Sequence, residues 1–263
     1  ERATPLFHSE IGLPAPISFE SLKMMMPDSS LWPINLMWGI HDFSMESAQE
    51  GENFMKMLEN NFGKVDNAKD WLEYGQWISY EGYRAILEAQ SKNRMGVLFW
   101  MTHCAWPSLV FQTYDYYFEP TGSYFGSKKG SEPLHIQWNA FTDSIEVVNY
   151  SIPDGSDLTA TVELINLDGA VKMKKQFPVD CSIDQVKRIY KLAQSEDLSN
   201  TYFIRLKLEK ENKIVSENFY WNGLQEGNYQ EIAKLPKVKL DIETQSVQKD
   251  DKWFLETEIA NNT

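Results

Sequence analysis

The hydrophobic periodicity of this chain changes once, near residue 135, and that change restricts the fold to a helix-bearing part followed by antiparallel sheet. Before it, Ser44 reads as the N-cap of a helix running to about Asn61, with Ala48, Phe54, Met55, Met57, Leu58 and Phe62 near helical spacing ahead of a stop at Gly63. Asp66 is expected to start a long helix to about Arg94, whose buried stripe is Trp71, Leu72, Trp77, Ile78, Ala85, Ile86 and Ala89. The run Gly96-Val97-Leu98-Phe99-Trp100-Met101 is continuous and unalternated, as in a parallel strand covered on both faces. Helix followed by buried strand predicts an α/β barrel or an open sheet.

Past residue 135 the period falls to two in His135-Ile136-Gln137-Trp138, Ser144-Ile145-Glu146-Val147-Val148, Thr159 to Leu164 and Tyr202 to Leu208. Turn clusters such as Pro153-Asp154-Gly155-Ser156-Asp157 and Asn166-Leu167-Asp168-Gly169 separate these segments, which predicts an antiparallel sandwich of about seven strands closing near Gly223. Residues 234–263 open another alternating series. Two strands are too few to bury a sheet, so this tail is expected to pack on the sandwich or to lack its own remainder.

Several function classes are disfavoured by composition. Lys and Arg number 25 against 38 Asp and Glu, a net charge of -13 that repels phosphate backbones and anionic lipid heads, so neither nucleic acid nor membrane is an expected partner. No apolar run reaches the roughly 18 residues of a membrane span. Cys104 and Cys181 lie far apart, and His8, His41, His103 and His135 show no metal-ligand spacing, so neither metal nor cofactor is expected. Aromatic residues make up 13% of the chain, which fits stacking on sugar rings but equally a large core. The opening Glu-Arg-Ala-Thr-Pro, without Met, reads as the start of an excised piece.

Pro5-Leu6-Phe7-His8-Ser9-Glu10-Ile11-Gly12 is a short apolar strand ending on a carboxylate and a glycine. Barrel enzymes place their chemistry at the C-terminal ends of strands, although a lone Glu before a turn is more often a surface residue. Ser9-Glu10-Ile11-Gly12-Leu13-Pro14 resembles the nucleophile motif of glycoside hydrolase family 2. Phe99-Trp100-Met101-Thr102-His103-Cys104-Ala105-Trp106-Pro107-Ser108 is similar to the strand-eight segment of the same family. The likeness continues through Tyr114-Asp115-Tyr116-Tyr117 and Gly122 to Lys129 up to Glu132-Pro133-Leu134-His135, in the branch holding exo-β-glucosaminidases and plant-type endo-β-mannosidases.

That resemblance implies the C-terminal part of a (β/α)8 TIM barrel over residues 1–134, an immunoglobulin-like β-sandwich over 135–225, and a linker with the first strands of an incomplete second sandwich over 226–263. It makes Glu10 the nucleophile of a retaining β-glycosidase. The acid/base that must work with it would lie upstream of residue 1, so the chain by itself is expected to be inactive and to depend on the remainder of its polypeptide for the missing barrel strands. Glu20, Glu46, Glu73, Glu81 and Glu88 are no substitutes, since each reads as a solvated helix face.

Trp100 would floor the sugar pocket, and Trp38, His41, His103 and Trp106 are the other candidate substrate contacts; Trp32 and Trp38 read equally well as core plugs. Relatives usually carry Asn where this chain has His103-Cys104, which leaves the recognised group open. The resemblance implies a carbohydrate substrate, glucosaminide-like specificity with mannoside or galactoside as alternatives, and a periplasmic or secreted setting. A non-catalytic carbohydrate-binding module, and a purely structural role for the sandwich, remain the competing readings.

Overall fold

The computed structural model describes residues 7–43, 51–89, 96–109, 111–193 and 197–262. β1 (Phe7–Ile11) and β2 (Gly96–Phe99) pair in parallel, with α1 (Phe19–Met25), α2 (Leu36–Ile40), α3 (Gly51–Phe62) and α4 (Ala68–Ala89) between them in sequence. Capping fixes where these helices start. Ser18 Oγ accepts the Ser21 N–H at 3.1 Å at the head of α1, and Asn35 Oδ1 accepts that of Met37 at 2.9 Å at the head of α2. Asn67, not Asp66, caps α4: its Oδ1 accepts the Asp70 N–H at 2.9 Å while its amide donates to the Asp70 carboxylate at 2.8 Å. Gly63, with φ 83°, ends α3 and donates to Glu59 O at 2.8 Å. The expected cap Ser44 and the expected helix end at Arg94 lie outside the described residues.

The helical layer is held by Leu22, Leu58, Leu72 and an edge-to-face group of Trp38, Phe43, Phe54 and Trp71, whose neighbouring centroids stand 5.3 to 6.4 Å apart. The stripe read from the sequence of α4 is only half right. Trp71, Leu72 and Ile78 are buried, but Ala85 and Ala89 are exposed, and Tyr83, Arg84, Leu87 and Glu88 are buried instead. The reason is that a second helix and the sandwich cover the far half of α4. α5 (Gly122–Gly130) carries glycines at four-residue intervals, and a Cβ on Gly122 or Gly126 would stand 2.0 or 2.1 Å from the Gln76 or Tyr80 carbonyl of α4. Only hydrogen fits there. The helix went unread in the sequence because each glycine costs helix propensity about 1 kcal/mol, a loss the backbone-to-backbone packing offsets.

The coverage expected for β2 is absent among the described residues. Phe7 and Leu98 are 48% and 57% exposed, because β1 and β2 pair only with each other.

Seven strands then form two sheets. One runs β3 (Leu134–Asn139), β4 (Ser144–Asn149), β7 (Gln185–Lys191); the other runs β6 (Val171–Val179), β5 (Leu158–Asn166), β8 (Thr201–Lys210), β9 (Lys213–Gly223), all antiparallel. Ile136, Ile145, Val147, Ala160, Val162, Ile204, Leu206 and Leu208 fill the space between them. β10 (Leu240–Lys249) and β11 (Lys252–Asn261) form a separate hairpin whose turn residues Asp250 and Asp251 have φ 49° and 60°, as a two-residue type I′ turn requires. Its Ile242, Trp253, Leu255 and Ile259 are exposed, so the hairpin does not pack its apolar residues on the sandwich.

A buried polar network joins α4 to the sandwich. Glu88 Oε1 accepts from His135 Nε2 at 3.0 Å, Asn218 Nδ2 at 3.1 Å and Tyr220 OH at 2.8 Å. Glu132 accepts from His135 Nδ1 at 3.0 Å, Ser216 Oγ at 2.8 Å and Lys129 Nζ at 2.6 Å. Arg84 forks onto Glu81 at 2.5 and 2.6 Å and lies 4.0 Å over the Tyr220 ring. Glu81 and Glu88 are therefore not on a solvated face, contrary to the sequence reading: Arg84, one turn away from each, pulls their side of α4 inward. Glu20 and Glu73 are exposed, and Glu46 lies outside the described residues.

Burial lowers the proton affinity of His135, but the hydrogen bonds to Glu132 and Glu88 outweigh it and hold the ring above its ordinary 6.5. A raised His contributes stability that is complete below the unfolded value and is lost as pH climbs through the folded one. Glu81, which burial pushes up to about 7 against the pull of Arg84, acts with the same sign, its contribution falling as pH rises from 4.5. Glu132 acts the other way: burial pushes it up, but its hydrogen bonds to His135, Lys129 and Ser216 dominate and lower it, so its contribution is lost as pH falls below 4.5. Thermal unfolding is expected to show greatest stability in mildly acidic buffer, with a decline above pH 6.5 that His135→Gln flattens. An unchanged decline in that variant would rule His135 out as its source.

Candidate functional site

β1 and β2 end side by side, and the pairing register shifts between His8 and Ile11, so a bulge spans Ser9 and Glu10. Bulges re-aim side chains at sheet ends, and Glu10 is exposed there. Beyond the bulge, the Trp100 N–H donates to Ile11 O at 2.9 Å. A Cβ on Gly12 would stand 2.0 Å from the Trp100 carbonyl oxygen. Glycine is thus demanded by the approach of two backbones, and that contact fixes Trp100 beside the strand that carries Glu10. Trp100 is 54% exposed and joined to Met101 by a cis peptide bond.

Gly12→Ala is expected to force the two strand ends apart at a cost of ~1–3 kcal/mol. Gly39 sits in α2 with nothing within 4 Å of its Cβ position, so Gly39→Ala is the control and should leave urea unfolding unchanged or slightly raised.

The segment after Trp100 folds back on itself at the strand end. Met101 N–H donates to Phe111 O, Thr113 N–H to Thr102 O at 3.1 Å, and Tyr114 N–H to Thr102 O at 2.9 Å. Two stacked ring pairs ride on this segment. Trp106, 46% exposed, stacks on His41 at 5.9 Å, and His41 is held by its Nδ1 contact with Pro107 O at 2.8 Å. His103 stacks on Phe118 with centroids 4.6 Å apart and planes 17° from parallel.

Glu10 and Trp100 therefore share one end of one strand pair, and His41, His103 and Trp106 belong to the loops above it. Trp38 does not join them. Its ring is fully buried among Trp32, Phe43 and Trp71, with its indole N–H on Ser30 O at 3.2 Å, so it is a core residue with no face left for a ligand.

One positioning residue escaped the sequence reading. Asp115 is completely buried, and its Oδ1 accepts the N–H groups of Tyr117 at 2.9 Å and Glu119 at 3.0 Å. This Asx turn presents Phe118, and an Asp at the head of an aromatic run was the available signal. Cys104 is buried, and burial pushes its thiol pKa up, so it is poorly suited to act as a nucleophile.

An exposed carboxylate at a strand end whose following segment carries exposed flat rings suits a polyhydroxylated ligand with apolar C–H faces, the carboxylate accepting hydroxyls or attacking an electrophilic carbon. A cavity of about 650 Å³ lies instead between α4 and the sandwich, lined by Trp77, Trp138, Tyr220 and Tyr229 but by none of the expected site residues. Among the described residues no three His, Cys, Asp or Glu converge to hold a metal ion, and no helix is long and apolar enough to cross a membrane.

No family model matches the chain. It is 33% identical over 233 residues to an exo-β-D-glucosaminidase of Amycolatopsis orientalis, a match covering 82% of this chain and 22% of that protein. A mannosylglycoprotein endo-β-mannosidase of Lilium longiflorum is 32% identical over 171 residues, 61% of this chain and 19% of its own length. The chain thus spans about a fifth of the curated relatives it matches. Among solved structures, the exo-chitosanase of Amycolatopsis orientalis in complex with PNP-β-D-glucosamine superposes with TM-score 0.84 at 26% identity, over 97% of this chain and 34% of that one. A β-D-mannosidase of Dictyoglomus thermophilum superposes with TM-score 0.69 at 15% identity over 96% of this chain and 31% of its own, a likeness of fold alone.

Proposed function

We propose, from the premise that this chain is a homologue of the exo-β-D-glucosaminidases of glycoside hydrolase family 2, that it is the nucleophile-bearing part of a retaining β-glycosidase acting on β-glucosaminides. The supporting observation is the position of Glu10, exposed on a bulge at the end of β1, with Gly12 packed onto the backbone of Trp100. In this reading β1 and β2 are the last two strands of a TIM barrel within residues 1–134. Residues 135–225 are an immunoglobulin-like sandwich with a structural role, and 226–263 begin a further sheet.

A glycosidic bond breaks through an oxocarbenium-like transition state, and retention needs a carboxylate nucleophile about 5–5.5 Å from a carboxylic acid across the bond. Glu10 attacks the anomeric carbon and forms a glycosyl ester, while Trp100 supports the apolar face of the sugar. A second carboxyl group, supplied by the rest of the polypeptide, protonates the leaving oxygen and then deprotonates the water that cleaves the ester. The chain by itself is accordingly inactive. A β-mannoside is the second substrate to test, since a relative of that name matches 61% of the chain.

The test is hydrolysis of aryl β-glucosaminide, mannoside, galactoside and glucuronide by the intact parent polypeptide. Turnover of the glucosaminide above the rest is the expected result. Binding of sugar without turnover of any glycoside would instead favour a carbohydrate-binding module.

A further inference from the structure

Phe118 is 73% exposed, yet its position is not left to chance. Its backbone has φ 67°, the left-handed region that bulky residues avoid. The turn that imposes this conformation is anchored by the completely buried Asp115, which takes the N–H groups of Tyr117, Phe118 and Glu119 on its side chain and carbonyl and donates its own N–H to Glu119 O at 3.0 Å. Behind the ring lies His103, stacked at 4.6 Å and itself bridged to Tyr114, the neighbour of Asp115. One face of Phe118 is backed by His103 and the rest of the ring is presented to solvent. Strain of this kind persists where the surroundings over-determine it, and it collects at ligand sites.

His103 lies only three residues beyond Trp100, so the platform belongs to the same strand end as Glu10 but stands further out on the loop. We propose that the His103–Phe118 pair is the stacking platform for the leaving-group sugar of a β-linked aminosugar oligomer, next to the residue attacked by Glu10. This rests on the glycosidase reading. A pyranose ring presents flat C–H faces that match an exposed phenyl ring, and the chain's net charge of -13 attracts a polymer whose amino groups are protonated. Trp100 serves the sugar being transferred; Phe118 serves the one that departs.

The experiment compares two substrates of the intact parent: the β-1,4-linked glucosamine disaccharide and β-glucosaminyl fluoride, whose leaving group has no ring to stack. Phe118→Ala is expected to lower kcat/KM for the disaccharide roughly tenfold, equivalent to about 1.4 kcal/mol, chiefly through KM, and to leave the fluoride unchanged. Phe118→Asn, which tolerates the left-handed backbone and so preserves the turn, should behave alike, and Phe118→Tyr should restore the disaccharide rate. Equal losses on both substrates, or no loss on the disaccharide, overturn the platform while leaving the glycosidase reading intact. Failure of the unaltered parent to turn over either substrate overturns both.

Discussion

Glu10→Gln in the intact parent is expected to lower kcat/KM for its β-glycoside at least about a thousandfold, the scale on which loss of a covalent nucleophile is felt. Glutamine keeps the size and most of the hydrogen bonding of the side chain, so folding and ground-state binding should persist. What disappears, in the proposed mechanism, is the charge that would attack the anomeric carbon and balance the oxocarbenium. Two measurements separate this role from a merely electrostatic one. A fluorosugar that forms the ester but hydrolyses slowly should add its mass to the peptide containing Glu10, and the released sugar should keep the β configuration at early times. An inverted product, or label on a different peptide, would falsify the assignment of Glu10 as nucleophile.

The second large effect concerns stability rather than chemistry. Arg84→Ala should destabilise the chain by ~3–5 kcal/mol, because it leaves two carboxylates in a site built around a cation. Arg84 is 1% exposed, and its Nη1 donates to Asn218 Oδ1 at 2.9 Å and Phe219 O at 3.0 Å on β9, while its other end grips Glu81 of α4. The surrounding carboxylates Glu81 and Glu88 and the buried phenol of Tyr220 raise its pKa against the desolvation that would lower it. Arg84→Lys keeps the charge but loses the planar fork, so it should recover only part of the loss. Lys56→Ala is the contrast. Lys56 meets Glu52 at 2.6 Å, shorter than most contacts of the buried network, yet both side chains are more than half exposed, and urea unfolding should not register its removal. If Arg84→Ala unfolds at the same urea concentration as the unaltered chain, the network does not hold α4 to the sandwich.

These two predictions differ in how far the sequence could have reached them. Glu10 could be singled out because the likeness of Ser9-Glu10-Ile11-Gly12 to a family motif is local, carried by four consecutive residues, and the structure adds that the glycine lets Trp100 approach. The period-two segments were legible for the same reason, and each of them lies in β3, β4, β5 or β8. Strand alternation needs only near neighbours. Arg84 could not be read in this way. Its partners Asn218 and Phe219 are 134 and 135 residues away, and nothing in the helix sequence distinguishes Glu88, which is buried, from Glu73, which is not.

The tryptophans show the same division. By residue type Trp38 and Trp100 are equal candidates for a sugar surface. The sequence by itself determined the two regimes of periodicity and the net charge of -13, since both are properties of composition or of adjacent residues, and it held the short motif through which the chain resembles glycoside hydrolase family 2. Only the tertiary structure decided that Trp38 is sealed among Trp32, Phe43 and Trp71 while Trp100 faces solvent, that three glycines make a helix, and that Asp115 holds Phe118 outward. Burial depends on which distant segments arrive on each face, and that is settled by packing of the whole chain rather than by any stretch of it.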